Sequence, residues 1–134
     1  MSEYHVVEVE FKDEECLIEA LTTMGLKPEV HENGTVITSG YARTKPKAHI
    51  VVRRSQFSGF GDLGFERIQN GFKMHVDDYD YRENGRDKIG MRKLKQCYAE
   101  STVKKVVRRT SRYSLVSRQE KEGKIKLKVR RLGV

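Results

Sequence analysis

The chain has 134 residues, of which 37% are hydrophobic and 34% charged, with a formal net charge of +8. A chain of this length commonly folds as one domain, so we expect a single domain over residues 1–134. No apolar run approaches the roughly 18 residues of a membrane span, and no long low-complexity run occurs, which excludes a membrane-spanning helix and a wholly disordered chain.

The N-terminal part predicts a strand, then a helix, then further strands. Residues 4–11 alternate apolar and acidic side chains, which is typical of a strand with one solvent-exposed face. Asp13 is expected to cap a helix over residues 14–24, and Gly25 to end it. Residues 48–53 predict another strand.

Two Asn-Gly dipeptides predict tight turns, because both residues of such a turn favour positive φ. Asn33-Gly34 lies between two strand-like runs and predicts a hairpin there. Asn70-Gly71 predicts a second hairpin, with strands at 64–68 and 72–76.

The glycine- and phenylalanine-rich stretch SGFGDLGF does not match an RNA-recognition sheet motif. Ser58 stands where that motif has a cation, and Asp62 stands where it has an aromatic residue. We therefore expect Phe65 and Phe72 in the core. The following acidic segment, residues 75–84, lacks the pattern of a calcium loop and is interpreted as a solvated acidic loop.

A long helix is predicted over residues 87–109, followed by a hairpin with strands at 113–119 and 124–131. The glycine of EKEG forms the turn between these strands. The apolar face of the helix should comprise Met91, Leu94, Tyr98, Thr102 and Val106. In the last strand, three apolar residues are expected to face the core and the alternating lysines to face solvent; the apolar residues are Ile125, Leu127 and Val129.

The element order is therefore β-α-β-β-β-β-α-β-β. This order predicts an α+β fold in which an antiparallel sheet of about six or seven strands carries two helices on one face. Each helix precedes a strand, a glycine-containing turn and a strand, which suggests an internal β-α-β-β duplication.

No residue pattern nominates a catalytic or metal site. The four histidines lack zinc-ligand spacing, and Cys16 and Cys97 lie far apart on predicted helices, near apolar faces where a thiol is inert. We find no nucleophile–base pair and expect no cofactor. An enzymatic site assembled in space stays open as an alternative.

Charge is divided unevenly along the chain. Residues 1–85 hold 10 Lys and Arg against 15 Asp and Glu, whereas residues 86–134 hold 17 against 4. Such a division favours a polyanionic partner for the C-terminal half. The candidate nucleic-acid-binding residues are Lys104, Lys105, Arg108, Arg109, Arg112, Arg118, Lys124, Lys126, Lys128 and Arg130.

Among polyanions, RNA or a ribonucleoprotein is favoured, because no DNA-groove-reading motif is present and RNA is often recognised by shape and backbone. An acidic protein partner or a homo-oligomeric adaptor is the first alternative. A small-ligand binder or enzyme with a site near residues 58–85 is the second. No membrane partner is expected. The opening residues MSEYHVVEVE resemble neither a signal peptide nor an anchor, so we expect a cytoplasmic location.

The order and spacing of several segments resemble a known family. These segments are YHVVEVEFKDEECLIEALTTMGL, SGYARTK, IVVRR, DLGFERIQNGFKM, LKQCYAESTVKKV and KIKLKVRR. Together they are similar to the small proteins of a conserved chloroplast hypothetical reading frame, number thirty-five, which has cyanobacterial and other prokaryotic relatives. The resemblance implies one small intracellular α+β domain and supplies no catalytic residues. The chain departs from the family at DDYDYREN, where relatives have a tryptophan-rich segment.

Overall fold

A five-stranded antiparallel sheet forms the centre of the fold. The computed structural model describes residues 4–8, 11–39, 43–82, 89–110, 113–122 and 124–132. From one edge of the sheet to the other, the strands are β1 (Tyr4–Glu8), β5 (Gly71–Asp77), β4 (Leu63–Ile68), β3 (Lys47–Val52) and β2 (Glu29–Val36). Successive strands in this order pair antiparallel, as expected.

Two helices pack against each other beside this sheet. Helix α1 (Glu14–Thr23) begins where the Asp13 carboxylate accepts the backbone N–H of Cys16 at 3.0 Å, as the sequence predicts. The longer helix α3 (Met91–Arg109) touches the start of α1 through Tyr98, whose hydroxyl accepts the backbone N–H groups of Lys12 and Asp13 at 2.9 and 3.0 Å. A short helix α2 (Asp78–Arg82) follows β5.

The main hydrophobic core lies between the five-stranded sheet and the two longer helices. Phe65, which is fully buried, and Phe72 belong to it, as predicted. From the helices, Leu17 and Leu21 of α1 and Leu94 of α3 are completely buried. Both cysteines are buried free thiols, and burial raises their pKa, so the thiol form is favoured. The α+β fold class is confirmed.

The last two strands form a sheet of their own. Among the described strands, β6 (Tyr113–Lys121) and β7 (Lys124–Arg131) pair only with each other, and they lie against α3. The seven strands therefore match the expected number, but they divide into two sheets where a single sheet was expected. Ile125, Leu127 and Val129 consequently lie outside both buried clusters, although we expected them in the core.

The prediction of a hairpin at Asn33-Gly34 is wrong. Strand β2 runs through both residues, and its pairing with β3 shifts register between Val30 and Thr35. Gly34 has φ +80° within this irregularity. Its positive φ, which suggested a hairpin turn, therefore belongs to a bulge in β2. Helix α1 is thus followed by one bulged strand and α3 by a true hairpin, so the two halves do not share the same connection.

The second predicted hairpin is confirmed, with a shifted turn. Strands β4 and β5 pair up to Ile68 and Gly71, which leaves Gln69 and Asn70 as the two loop residues. The glycine of Asn70-Gly71 is therefore the first residue of β5, with φ +144°. A side chain at this glycine would meet the backbone oxygen of Phe11 at 2.7 Å.

The acidic segment 75–84 runs from the end of β5 into α2 and is partly buried, contrary to the solvated loop that we expected. Asp77 and Asp80 are both completely buried. Asp80 accepts the backbone N–H of Phe60 at 2.8 Å and that of Gly61 at 3.2 Å, so it holds the glycine-rich loop in place. Burial, together with the negative charges of the nearby aspartates, raises the pKa of Tyr4, whose hydroxyl donates to the Asp62 carbonyl. Residues 83–84 of this segment lie outside the described residues.

Candidate polyanion-binding surface

The β6–β7 hairpin has two faces of different composition. Residues directly opposite each other in an antiparallel pair point to the same side, and neighbours along a strand alternate. Leu127 is opposite Arg118 and Ile125 is opposite Glu120, so these residues share the face that lies against α3. Lys126 is opposite Gln119 and belongs to the other face, which we call the outer face.

The paired positions that make up the outer face carry cations and neutral polar residues only, and Val116, at the register shift of β6, is not one of them. Its register pairs are Lys121 with Lys124, Gln119 with Lys126, Ser117 with Lys128 and Ser114 with Arg130. Its five cations are all exposed. Adjacent cations along β7 are about 7 Å apart, and paired residues across the strands about 5 Å. Because like charges placed directly opposite destabilise a sheet, the Lys121–Lys124 pair costs stability in the protein alone.

The cations of the outer face have no acidic partner in the described part of the chain. No ion pair or side-chain hydrogen bond joins Lys121, Lys124, Lys126, Lys128 or Arg130 to any described residue. Their charge is therefore available to an external anion.

Most of the other candidate cations are neutralised within the fold. Lys105 binds Asp13 at 2.5 Å and Glu15 at 3.2 Å. The hydrogen bond from Lys105 to Asp13 lowers the pKa of the Asp13 carboxyl. Arg108 lies 3.8 Å from Glu19. These contacts join the basic end of α3 to the acidic helix α1. The acidic half thus screens part of the basic half, and α3 contributes less free charge than its sequence suggests.

Glu100 of α3 neutralises two further candidates. Its carboxylate is 6% exposed and accepts hydrogen bonds from Arg118 of β6, and it lies 3.1 Å from Lys104. Burial raises the pKa of Glu100, but the hydrogen bonds from Arg118 and Lys104 outweigh burial, so the pKa falls below its usual value. The Arg118–Glu100 contact ties the hairpin to α3.

Replacing Glu100 with Gln should loosen the hairpin and remove part of the acid sensitivity of the fold. Because the folded pKa of Glu100 lies below its ordinary value of 4.5, its contribution is present above pH 4.5 and is lost as pH falls further. We expect Glu100→Gln to lower the free energy of unfolding by about 1.5 kcal/mol at pH 7, since a hydrogen bond to a charged group is lost. Urea denaturation at pH 7 and pH 3 measures this, and the difference between variant and wild type should shrink at pH 3. A constant difference at both pH values would contradict the role of this carboxylate.

Two of the candidate residues remain to be placed, and two residues were missed. Arg109 is exposed at the end of α3 and makes no ion pair with a described residue, whereas Arg112 lies outside the described residues. Lys121 and Arg131 were not among the candidates. The EKEG turn already places Lys121 opposite Lys124, so the register of the hairpin contained the signal for Lys121.

Other kinds of site find little support in the described residues. Within the described ranges, no group of three His, Cys, Asp or Glu side chains is arranged to hold a metal ion. The buried aspartates near residues 58–80 each accept a backbone N–H group instead, although Oδ2 of Asp77 has no hydrogen-bond partner among the described residues. Among the helices of the described ranges, none is long and apolar enough to cross a bilayer.

Comparison with known proteins gives one match. A family model described as "Protein of unknown function (DUF1257)" matches residues 20–128, which include α3, β6, the first part of β7 and four of the five strands of the central sheet. No curated protein and no solved structure matches the chain. Since the family model covers well over half of the sequence, the chain belongs to the DUF1257 family of proteins of unknown function.

Proposed function

We propose that this protein is a non-enzymatic accessory protein that binds RNA or a ribonucleoprotein through the outer face of the β6–β7 hairpin. The observation that supports the proposal is the composition of that face: five exposed cations, no carboxylate, and no internal ion pair within the described residues. Two opposed lysines at the turn are unfavourable in isolation, and an external anion removes this cost.

The outer face suits a phosphate backbone better than a base-reading site. Its side chains are lysines, one arginine, serines and a glutamine, with no aromatic residue on which a base would stack. Each lysine that neutralises a phosphate releases counterions, so affinity comes from charge and falls with salt. We therefore propose binding that depends on backbone charge and shape, with weak sequence preference.

The test is to purify the protein at low salt and record its absorbance at 260 and 280 nm. The chain has no tryptophan and six tyrosines, so its own absorbance at 280 nm is weak and bound RNA stands out. We expect a nucleic-acid contribution that is removed by high salt and by ribonuclease. Sequencing the removed nucleic acid then identifies the ligand. A protein spectrum free of nucleic acid, together with no binding of added RNA at low salt, would contradict the proposal.

Two finer statements about identity are also proposals. The order of the segments that resemble chloroplast reading frame thirty-five, from the opening strand to KIKLKVRR, supports placing that reading frame and this chain in the same family. The two free, buried thiols of Cys16 and Cys97 support a reducing, cytoplasmic location.

A further inference from the structure

An apolar groove runs between α3 and the inner face of the hairpin. Its first section, of about 290 Å³, is lined by Gln96, Ala99, Glu100, Val103, Ile125 and Leu127. Its second section, of about 360 Å³, continues along the same elements and is lined by Thr102, Val103, Val106, Val107, Tyr113 and Val129. Val103 lines both sections, so the two sections adjoin along α3 and are treated together as one groove.

The groove leaves apolar side chains exposed to solvent. Val106, which the helical periodicity predicts to be buried, is 55% exposed, and Val129 and Tyr113 are 37% and 39% exposed. Along α3 the groove extends from Gln96 to Val107, a length of about 17 Å at 1.5 Å per residue. This length corresponds to three turns of a helix laid alongside α3.

The charges around the groove are positive in sum. Among the described residues here, the carboxylates of Glu100 and Glu120 share Arg118, and each binds one further cation, Lys104 and Lys93 respectively. Arg131, which is opposite Tyr113 in the register, and Arg109, at the end of α3, are exposed and have no acidic partner among the described residues. The outer face of the hairpin adds its five cations nearby.

From the apolar floor and the positive rim, we propose that this groove binds an acidic amphipathic helix of a partner protein. Such a helix places apolar residues at i, i+3, i+4 and i+7 in the groove, and its acidic residues reach Arg109 and Arg131. A second copy of this chain fits less well, because the surface that it would present in a symmetric contact is also positive. RNA bases fit less well, because Tyr113 is the single aromatic side chain among the residues that line the groove. The inference does not depend on RNA binding at the outer face.

The experiment uses a fluorescein-labelled synthetic peptide of about 16 residues, with leucines at helical spacing and glutamates on the opposite face. Fluorescence anisotropy compares it with a peptide of the same composition whose leucines are scrambled, and with a peptide in which lysines replace the glutamates. The full-length protein is expected to bind the first peptide and to bind both others at least about tenfold more weakly. Equal binding of the scrambled peptide would overturn the inference, because charge alone would then explain the attraction.

Substitutions in the groove identify the surface. Val106→Glu and Val129→Glu should each weaken binding of the acidic peptide by about tenfold or more, because each adds a negative charge and removes apolar contact. Val106→Thr adds no charge and should weaken binding less. The matched control is Val36→Glu on β2, where the valine is 54% exposed and far from the groove residues in sequence. Thermal unfolding verifies that each variant is folded.

Three results would overturn the inference. The first is a peptide affinity that Val106→Glu and Val129→Glu leave unchanged. The second is a dimer in light scattering that Val106→Glu dissociates, since a second copy would then occupy the groove. The third is loss of RNA binding in the same variants with peptide binding retained, since the groove would then belong to an RNA site.

Discussion

Replacing Lys124, Lys126 and Lys128 with Gln is expected to reduce the salt dependence of RNA binding by a defined amount. For single-stranded nucleic acid, each neutralised phosphate contributes about 0.7 to the slope of log affinity against log salt, so three lost contacts reduce the slope by about 2. Replacing the same lysines with Glu should abolish binding, because the outer face then repels phosphates. Fluorescence anisotropy with a labelled single-stranded RNA, at salt concentrations from 50 to about 300 mM, measures both variants.

The matched control removes the same charge elsewhere. Lys12, Lys27 and Lys45 are exposed and lie in the acidic half of the chain, so their replacement with Gln gives the same net charge as the hairpin variant. The control should leave the slope within about 0.5 of the wild-type value. If the control loses as much slope as the hairpin variant, binding follows net charge and the outer face is not the site. If the reversal to Glu still binds with its salt dependence unchanged, the proposed function is wrong.

The hairpin variant should remain folded, which keeps the binding result interpretable. The three lysines are exposed and make no ion pair with the described residues, so their replacement removes no internal contact that the structure describes. Lys124 is opposite Lys121, and neutralising it relieves a repulsion of a few tenths of a kcal/mol. Unfolding free energy should therefore be unchanged or slightly higher.

The free cationic surface is predictable from sequence because its pattern is local. Lysines alternate with apolar residues over β7, and the pairing of Lys121 with Lys124 fixes which residue of β6 is opposite each lysine. The neutralised cations could not be identified in this way. Lys105 meets Asp13 across 92 positions of sequence, and a spacing rule contains no information about such a contact. The ten candidate residues therefore included several whose positive charge is already paired with a carboxylate within the fold.

The same distinction between local patterns and distant contacts explains which predictions about the fold were wrong. The Asp13 cap and the end of α1 at Gly25 depend on neighbouring residues and are confirmed. Asn33-Gly34 also favours positive φ locally, but whether that φ produces a turn or a bulge depends on how β2 pairs with β3. Whether the hairpin joins the central sheet likewise depends on tertiary packing, because an amphipathic strand can cover its apolar face with a helix as well as within a larger sheet.

Asp80→Ala is expected to be among the most destabilising single substitutions in the chain. The carboxylate is completely buried and accepts the backbone N–H groups of Phe60 and Gly61, so its removal leaves one partly buried and one buried donor without this acceptor. An unsatisfied buried donor costs about 1–3 kcal/mol, and we expect a total loss of about 3 kcal/mol in unfolding free energy, measured by urea denaturation. The loop cannot readily adjust, because even a Cβ at Gly61 would lie 2.5 Å from the Cβ of Ser39.

Two further variants separate the hydrogen bonds from the charge at this position. Asp80→Asn keeps one acceptor oxygen and should cost less than the alanine variant, because one of the two donors remains satisfied. Glu32→Ala, which removes a carboxylate from a side chain that is 81% exposed, should change stability by less than about 0.5 kcal/mol. A loss below about 1 kcal/mol in Asp80→Ala would mean that the loop finds other acceptors. Asp80 lies in α2, beside the central sheet, and not on the hairpin. The Asp80→Asn variant should therefore bind RNA with the wild-type salt slope. That result separates the stability of the fold from the function of the outer face.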